Sequence, residues 1–346
     1  MLRLKYLSIL VLPTTVVFSF TLHGMWSFLP HFVFFVLVPM VELLAKPWNG
    51  NPSDEALDAL EKDPFFNAVL YLMVPIQWVF VGWFLWLMTQ EMTLIERLGR
   101  ISSMGVMCGI IGINVGHELG HRLNRFEQFL GELLLLSSLE NHFLPYHNSG
   151  HHANVGTPGD PATARLNEPV YQFILRSHFG SYFQAWSFEC QRMKIMNRKS
   201  FSLYNRMMQY SIVSLLFLSL IALFCGVFVL LYFVLAAMIG IVLLELVNYI
   251  EHYGLMRKQR ENGTFEVFKR RHAWNSNHPI SRSLLFELSR HSDHHMKPDK
   301  PYQLLECDSE SPVMPTGYAG MMILSLVPPL FFKAMNARVS EALQEK

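Results

Sequence analysis

The stretch NVGHELGHR, residues 114–122, organises the interpretation of this chain. His117 and His121 are four residues apart. On a helix both imidazoles would therefore lie on one face, one turn apart, and could bind the same metal ion. Taken alone, this HExxH pattern is typical of zinc metalloproteases, in which Glu118 would be the general base. Whether that interpretation holds depends on the rest of the chain.

The composition is that of a membrane protein. Of the 346 residues, 51% are hydrophobic and 16% are charged, whereas a typical soluble domain is about 25% charged. The formal net charge of +1 gives no indication of nucleic-acid binding. The four cysteines are scattered and form no CxxC pair, so neither a disulfide framework nor a thiolate metal site is expected.

Six apolar runs approach or exceed the length of about 20 residues that crosses a bilayer. They predict membrane helices at roughly 6–22, 26–44, 66–88, 95–116, 209–225 and 227–249. The polar segment 46–65 is expected to be a loop. The apolar segments 130–139 and 321–332 are short or contain proline, so we expect them to be buried or interfacial. The sequence thus predicts one all-α integral membrane domain over residues 1–346.

The polar regions 117–208 and 250–346 carry many of the lysines and arginines, whereas the opposite loops are short and have few. The positive-inside rule places both polar regions in the cytoplasm, and we expect the catalytic groups to lie there.

Histidine is the compositional outlier, with 15 residues. Nine fall in four groups within the predicted cytoplasmic regions: His117 and His121; His147, His151 and His152; His252; and His291, His294 and His295. Nine neutral imidazoles exceed what one tetrahedral or octahedral ion can use, which indicates two metal ions. Imidazole suits zinc, copper, iron and nickel alike, so the donor set alone leaves the metal open.

Four motifs carry a resemblance to a known family. HELGHR (117–122), HNSGHH (147–152), NYIEHYGL (248–255) and RHSDHH (290–295) closely resemble, in order and spacing, those of the membrane alkane 1-monooxygenase family. TPGDPATAR (157–165), HAWNSNH (272–278) and PTGY (315–318) also resemble family segments. The similarity extends from about residue 62 to about residue 332.

The resemblance implies a six-span protein of a bacterial inner membrane with two non-haem iron ions. It further implies insertion of one oxygen atom of O₂ into a terminal methyl group. Electrons would come from NAD(P)H through a reductase and an external rubredoxin, because no CxxC pair is present to form a fused one. The family usually has an acidic residue before its second motif, where this chain has Tyr146.

Nine neutral ligands would leave the site cationic, so we expect carboxylates to accept hydrogen bonds from the ring nitrogens that do not bind the metal. The candidates lie beside or near the histidine groups: Glu118, Asp160, Glu251 and Asp293. The alternative for each is a surface group or a helix cap. Asn114 and Asn248 are candidates for hydrogen bonds to ligand rings. His272 and His278 are expected to belong to a hydrogen-bond network or an electron path.

A hydrocarbon substrate needs a narrow apolar channel. Gly105, Gly109, Gly112 and Gly116 form a stripe on the fourth span, and the first three are candidates for lining such a channel. Close helix packing is the alternative explanation of the stripe. Bulky side chains that could limit substrate length are Trp78, Phe80, Trp83 and Phe84, for which core packing is the alternative role. The basic segment 257–271 is a candidate rubredoxin-docking surface, or a consequence of topology alone.

Several other functions stay open at this stage. A related enzyme could hydroxylate an aromatic or terpene methyl group, or desaturate a fatty acyl chain. Desaturases typically have HxxHH as their second motif, whereas this chain has HxxxHH at 147–152. An intramembrane zinc protease would leave seven of the nine clustered histidines unexplained. A metal transporter would need its ligands within the spans.

Overall fold

Helices account for nearly all of the regular structure. The computed structural model describes residues 2–344, and no β-strand forms among them apart from two isolated bridges. The main helices, labelled in chain order, are α1 (Arg3–Thr21), α2 (Gly24–Leu44), α3 (Asp54–Lys62), α4 (Pro64–Met88), α5 (Leu94–Gly120), α6 (Arg125–Leu136), α7 (143–154), α8 (Val170–Ile195), α9 (Arg206–Cys225), α10 (Val227–His252), α11 (Pro279–Leu284), α12 (His291–Met296), α13 (Tyr318–Ser325) and α14 (Pro328–Leu343).

Among the described residues, six helices are long and apolar enough to span a membrane, which confirms the predicted all-α architecture with about six spans. They are α1, α2, α4, α5, α9 and α10. Two helices continue past the predicted ends of their spans: α5 extends to Gly120 and α10 to His252. The segment 46–65 is not wholly a loop, since it contains α3.

Local sequence signals explain where several spans begin and turn. Thr93 caps α5 by accepting a hydrogen bond from the backbone N–H of Glu96, whose carboxylate accepts one from the backbone N–H of Thr93, a reciprocal capping box. The Asn205 side chain caps α9 by accepting hydrogen bonds from the backbone N–H groups of Met207 and Met208. Gly226, with φ of +93°, allows the sharp reversal between α9 and α10, since this backbone region favours glycine.

α5 is the central helix of the bundle. Inside the protein, 83% of its apolar stretch is buried, whereas the corresponding share is 11% for α9, which lies at the periphery. The glycine stripe makes this position possible. A Cβ atom added at Gly105 would lie 2.6 Å from the Ile239 side chain of α10, and one at Gly112 would lie 2.0 Å from Ser138 Oγ. Close packing therefore explains these two glycines.

Ion pairs and hydrogen bonds fasten the N-terminal spans to the later segments. Glu287 forms ion pairs with Lys5 and Arg282. The Glu42 carboxylate of α2 accepts hydrogen bonds from the backbone N–H and the hydroxyl of Ser281. These contacts hold the end of α2 against α11, which lies next to the site described below.

Candidate metal centre

Five histidines, contributed by α5 and the turn that ends it, by α7 and by α12, form the first metal-binding group: His117, His121, His147, His152 and His294. The Nε2 atom of His117 lies 3.0 Å from that of His121, 3.0 Å from that of His147 and 3.2 Å from that of His294. His152 Nε2 lies 3.0 Å from His147 Nε2.

The remaining four histidines of the motifs form a second group, His151, His252, His291 and His295. His291 Nε2 lies 3.0 Å from His252 Nε2 and 2.9 Å from His295 Nε2. Rings of the two groups are adjacent, since the centroids of His151 and His152 are 5.9 Å apart. The fold therefore brings all nine histidines together and sorts them into two neighbouring groups.

Helix geometry explains the sorting. His117 and His121 follow the expected i, i+4 spacing and share the first group, as His291 and His295 share the second. The backbone from His147 to His151 forms a π-helical turn, whose i, i+5 periodicity directs His147 and His152 to one group and His151 to the other. α12 divides in the same way, because the adjacent His294 and His295 point to different groups.

The rings are suited to binding cations. Burial, reinforced by the neighbouring imidazoles, lowers the pKa of His121, His147, His291 and His295 well below the ordinary value. Each ring is therefore neutral and carries one N–H and one free lone pair at neutral pH. Five Nε2 atoms that converge at about 3 Å cannot all be paired by hydrogen bonds among themselves. A metal ion accepts their lone pairs, so the donor set fits one ion in each group.

Two of the predicted carboxylates contact ligand rings. Asp160 Oδ2 lies 2.9 Å from His151 Nδ1, with both side chains fully buried. Glu251 Oε1 lies 3.2 Å from His291 Nδ1, close to it but without the geometry of a hydrogen bond, and accepts a hydrogen bond of 2.8 Å from the Tyr318 hydroxyl. A carboxylate behind the Nδ1 atom fixes the tautomer that directs the Nε2 lone pair to the metal.

The other two carboxylates have different partners. Glu118 Oε1 accepts hydrogen bonds from Arg122 and from the backbone N–H of Tyr302. Asp293 faces Arg270 at 2.7 Å and Lys300 at 2.8 Å. Neither carboxylate makes a hydrogen bond to a ligand ring in the part of the chain that the structure describes. Arginine and lysine compete more strongly for these anions than neutral imidazoles do, so the predicted ring contacts are corrected here.

The predicted asparagine contacts are also corrected. Asn248 donates to Glu245 Oε2 at 3.3 Å, and Asn114 Nδ2 is buried without a partner among the described residues. Both side chains line a cavity instead.

His272 and His278 lie outside the two ligand groups, as expected. His272 Nε2 lies 3.1 Å from Glu266 Oε1, and His278 Nδ1 lies 3.0 Å from Ser276 Oγ. The Phe268 ring packs against both His272 and His295, with centroid distances of 5.7 and 5.2 Å. This contact connects His272 to the second group through an aromatic side chain.

An apolar cavity leads to both groups. It lies between α2, α5, α10, α11 and α13, with Phe34, Gly109 and Leu243 among its wall residues. At its polar end it reaches His117 and His147 of the first group and His291 of the second. The cavity can therefore hold an apolar molecule with one end beside the metal centre.

The predicted channel residues largely lie elsewhere. Of that set only Gly109 lines this cavity. The other six residues lie outside it: Trp78, Phe80, Trp83, Phe84, Gly105 and Gly112. The aromatic residues of α4 pack in the core instead, as the Phe80–Trp83 and Trp78–Phe217 ring contacts show. Core packing is the alternative role that the sequence left open for these four side chains, since aromatic content does not reveal which face of α4 meets a cavity.

Two functional contacts had only a weak sequence signal. The Tyr146 hydroxyl donates to Asp160 Oδ1, so this residue holds the carboxylate that supports His151. The Tyr318 hydroxyl supports Glu251 in the same way. The sequence indicated these two residues only by position: Tyr146 directly precedes the second motif, and Tyr318 ends the PTGY segment.

Comparisons with known proteins agree with this centre. Residues 98–321 match the family model described as fatty acid desaturase. The chain is 36% identical to alkane 1-monooxygenase 1 of Alcanivorax borkumensis, over 92% of this chain and 79% of that protein. It is 36% identical to the alkane 1-monooxygenase of Ectopseudomonas oleovorans, over 89% of this chain and 77% of that protein. The xylene/toluene monooxygenase hydroxylase component XylM of Pseudomonas putida is 26% identical, over 95% and 86%.

Proposed function

This chain belongs to the alkane 1-monooxygenase family, and from that premise we propose that it hydroxylates the terminal methyl group of n-alkanes. The observation that carries the proposal is the apolar cavity, which ends at His117, His147 and His291. A hydrocarbon has no polar group by which a site could position it. An apolar cavity with one end at the two histidine groups is therefore the arrangement that this reaction needs.

The nine histidines would hold two iron ions, five rings for one and four for the other. When bound, the irons would supply the oxidising chemistry with O₂ that an unactivated C–H bond requires. In the overall reaction R–CH₃, O₂, two protons and two electrons give R–CH₂OH and water. We propose that the electrons come from NAD(P)H through a reductase and a separate rubredoxin.

The chain's own residues have three roles in this proposal. Asp160 and Glu251 orient the rings of His151 and His291. The walls of the cavity exclude water and align the substrate, while Gly109 lets α5 pack closely against Leu243 of α10 in the cavity wall. Each CH₂ group buried contributes about 0.8 kcal/mol to substrate binding. Because that increment is small and uniform, the length and shape of the cavity must set the preferred chain length.

The distribution of lysine and arginine between the two sides of the predicted membrane supports a bacterial inner-membrane location with the metal centre towards the cytoplasm.

We also propose that residues 1–346 act as one catalytic domain, because a single core cluster contains residues from α8, α10, α13 and α14. In the basic segment 257–271, Arg270 pairs with Asp293 at 2.7 Å and its side chain is 25% exposed, whereas Lys269 pairs with Glu266 at the longer distance of 3.8 Å and its side chain is 55% exposed. Lys269 is therefore the better candidate for docking an acidic rubredoxin.

Whole-cell turnover tests the proposed reaction. Cells that express this chain with rubredoxin and its reductase are given n-alkanes from pentane to hexadecane, together with toluene, a terpene and a fatty acid. We expect 1-alkanols that contain one oxygen atom from labelled O₂. A product with a double bond would contradict the proposal in favour of desaturation, and conversion of toluene alone would favour the aromatic alternative.

A matched pair of variants tests the ligand set. His147→Ala should lose iron and activity while still inserting into the membrane, because it removes a ring from the first group. His23→Ala is the control, since its side chain is 85% exposed and distant in sequence from the motifs. Full activity in His147→Ala, or zinc without iron in the purified protein, would contradict the proposed centre.

A further inference from the structure

A third cluster of metal-ligand side chains lies outside the nine-histidine centre. It consists of Glu140, His142 and His178, whose candidate ligand atoms all lie within 4.8 Å of one another. Glu140 is 1% exposed and His142 is 7% exposed. None of the three belongs to the four histidine motifs, and the proposed reaction assigns them no role.

The distances in this cluster suit two ligands of one ion. His142 Nε2 lies 3.2 Å from Glu140 Oε1, and two ligands at about 2.1 Å from a tetrahedral zinc ion are separated by roughly 3.4 Å. The hydroxyl of Ser181, one turn after His178 on α8, lies 3.4 Å from the same nitrogen. Two imidazoles and one carboxylate, with a fourth position for water or a hydroxyl, are a common zinc donor set.

Two buried polar atoms of the cluster have no hydrogen-bond partner among the described residues. They are Glu140 Oε2 and His178 Nδ1. Buried polar atoms are rarely left unpaired in folded proteins, because each loses its bonds to water without replacement. A cation between these side chains would remove that cost for both.

The local charges also favour a cation. Burial, and secondly the neighbouring Glu245 carboxylate, raise the pKa of Glu140 well above its ordinary value. Burial, and secondly His178, lower the pKa of His142 to about 3. His142 is therefore neutral at neutral pH and has a lone pair free for a cation, while Glu140 favours a proton when no cation is bound. A divalent ion would replace that proton and balance the carboxylate that its release leaves.

We propose that Glu140, His142 and His178 bind a third divalent transition-metal ion, such as zinc, separate from the two ions of the histidine centre. This ion fastens the turn before α7 to α8. The turn leads directly into the second histidine motif, and the Phe143 ring stacks on the His147 ring with a centroid distance of 4.4 Å. The third ion is thus a structural support behind the first ligand group.

Metal analysis of the full chain tests this proposal without reference to activity. Wild type, Glu140→Gln and His178→Asn are loaded with excess Fe²⁺ and Zn²⁺ without oxygen, desalted, and analysed for both metals. We expect each variant to hold one metal equivalent less than wild type and to keep the ions of the nine-histidine centre. His23→Asn is the matched control and should hold as much metal as wild type. Equal metal content in wild type and both variants would overturn the proposal.

A second measurement uses wild type alone, in case the variants fold poorly. Zinc retained at saturating iron is examined by X-ray absorption at the zinc edge. We expect one zinc with two imidazoles and no sulfur, at ligand distances of about 2.0–2.2 Å. No retained zinc, or a zinc with four or five imidazoles, would overturn the proposal, because the latter would place zinc in a histidine group.

Discussion

Replacing Asp160 with asparagine tests the support of the second metal group most directly. The Asp160 carboxylate is 1% exposed and has four partners. Oδ2 accepts hydrogen bonds from Thr163 at 2.7 Å and from His151 at 2.9 Å. Oδ1 accepts from the Tyr146 hydroxyl and from the backbone N–H of Ala162. Burial raises the pKa of Asp160, but the interaction with His151 and these hydrogen bonds outweigh it and bring the pKa to about 2.

The expected magnitude follows from what the substitution removes. The asparagine would keep the size of the side chain and one acceptor oxygen, but it would lack the negative charge that makes the ring of His151 a better donor to the metal. Loss of such a partner typically weakens metal affinity or activity by about 10–100-fold, or roughly 1.4–2.7 kcal/mol. His151 belongs to the four-histidine group, so the loss should be selective for one ion.

Iron titration with Mössbauer spectroscopy measures this selectivity. At the lowest iron concentration that fills both sites of the wild type, Asp160→Asn should hold close to one iron per chain and lose one of the two spectral components. The control is Asp299→Asn, which changes an exposed aspartate of the same region and should behave as wild type. Equal loss of both components would refute the assignment of Asp160 to one group, and unchanged iron affinity would refute its role in ligand support.

Three further predictions follow from other contacts. Tyr146→Phe removes a hydroxyl that donates to the carboxylate behind the second group; we expect a severalfold loss of iron affinity with the fold intact, and unchanged affinity would contradict this. Gly109→Ala would place a Cβ atom 3.1 Å from Leu243 Cδ1, so the Leu243 side chain must shift within the cavity wall; product ratios should move towards shorter alkanols, whereas Gly82→Ala, where nothing lies within 4 Å, should leave them unchanged. Glu287→Ala leaves buried Arg282 without its ion-pair partner and should destabilise the fold by about 3–5 kcal/mol, measured as a lower thermal unfolding temperature; an unchanged temperature would contradict the structural role.

The sequence determined the parts of this protein that depend on local composition and spacing. Apolar runs longer than a bilayer is thick have few alternatives to a spanning helix, because unpaired backbone groups are too costly in lipid. The six spans were therefore predictable, although their ends were not. The clustering of the nine histidines was also predictable in part, since i, i+4 spacing brings two side chains to one face of a helix, whereas their role as metal ligands stays a prediction.

Tertiary structure decided what depends on direction. His147 shares its group with His152 and not with His151, because the π-helical turn brings residues i and i+5, instead of i and i+4, to one face. Asp293 and Asp160 both lie near histidine motifs in sequence, yet only Asp160 contacts a ligand ring, because Arg270 and Lys300 hold Asp293. The same limit applies to the stretch 114–122. Its HExxH pattern fixed two ligands, but the fold paired Glu118 with Arg122 and brought seven other histidines around it, since long-range packing, not spacing, determines what each side chain faces.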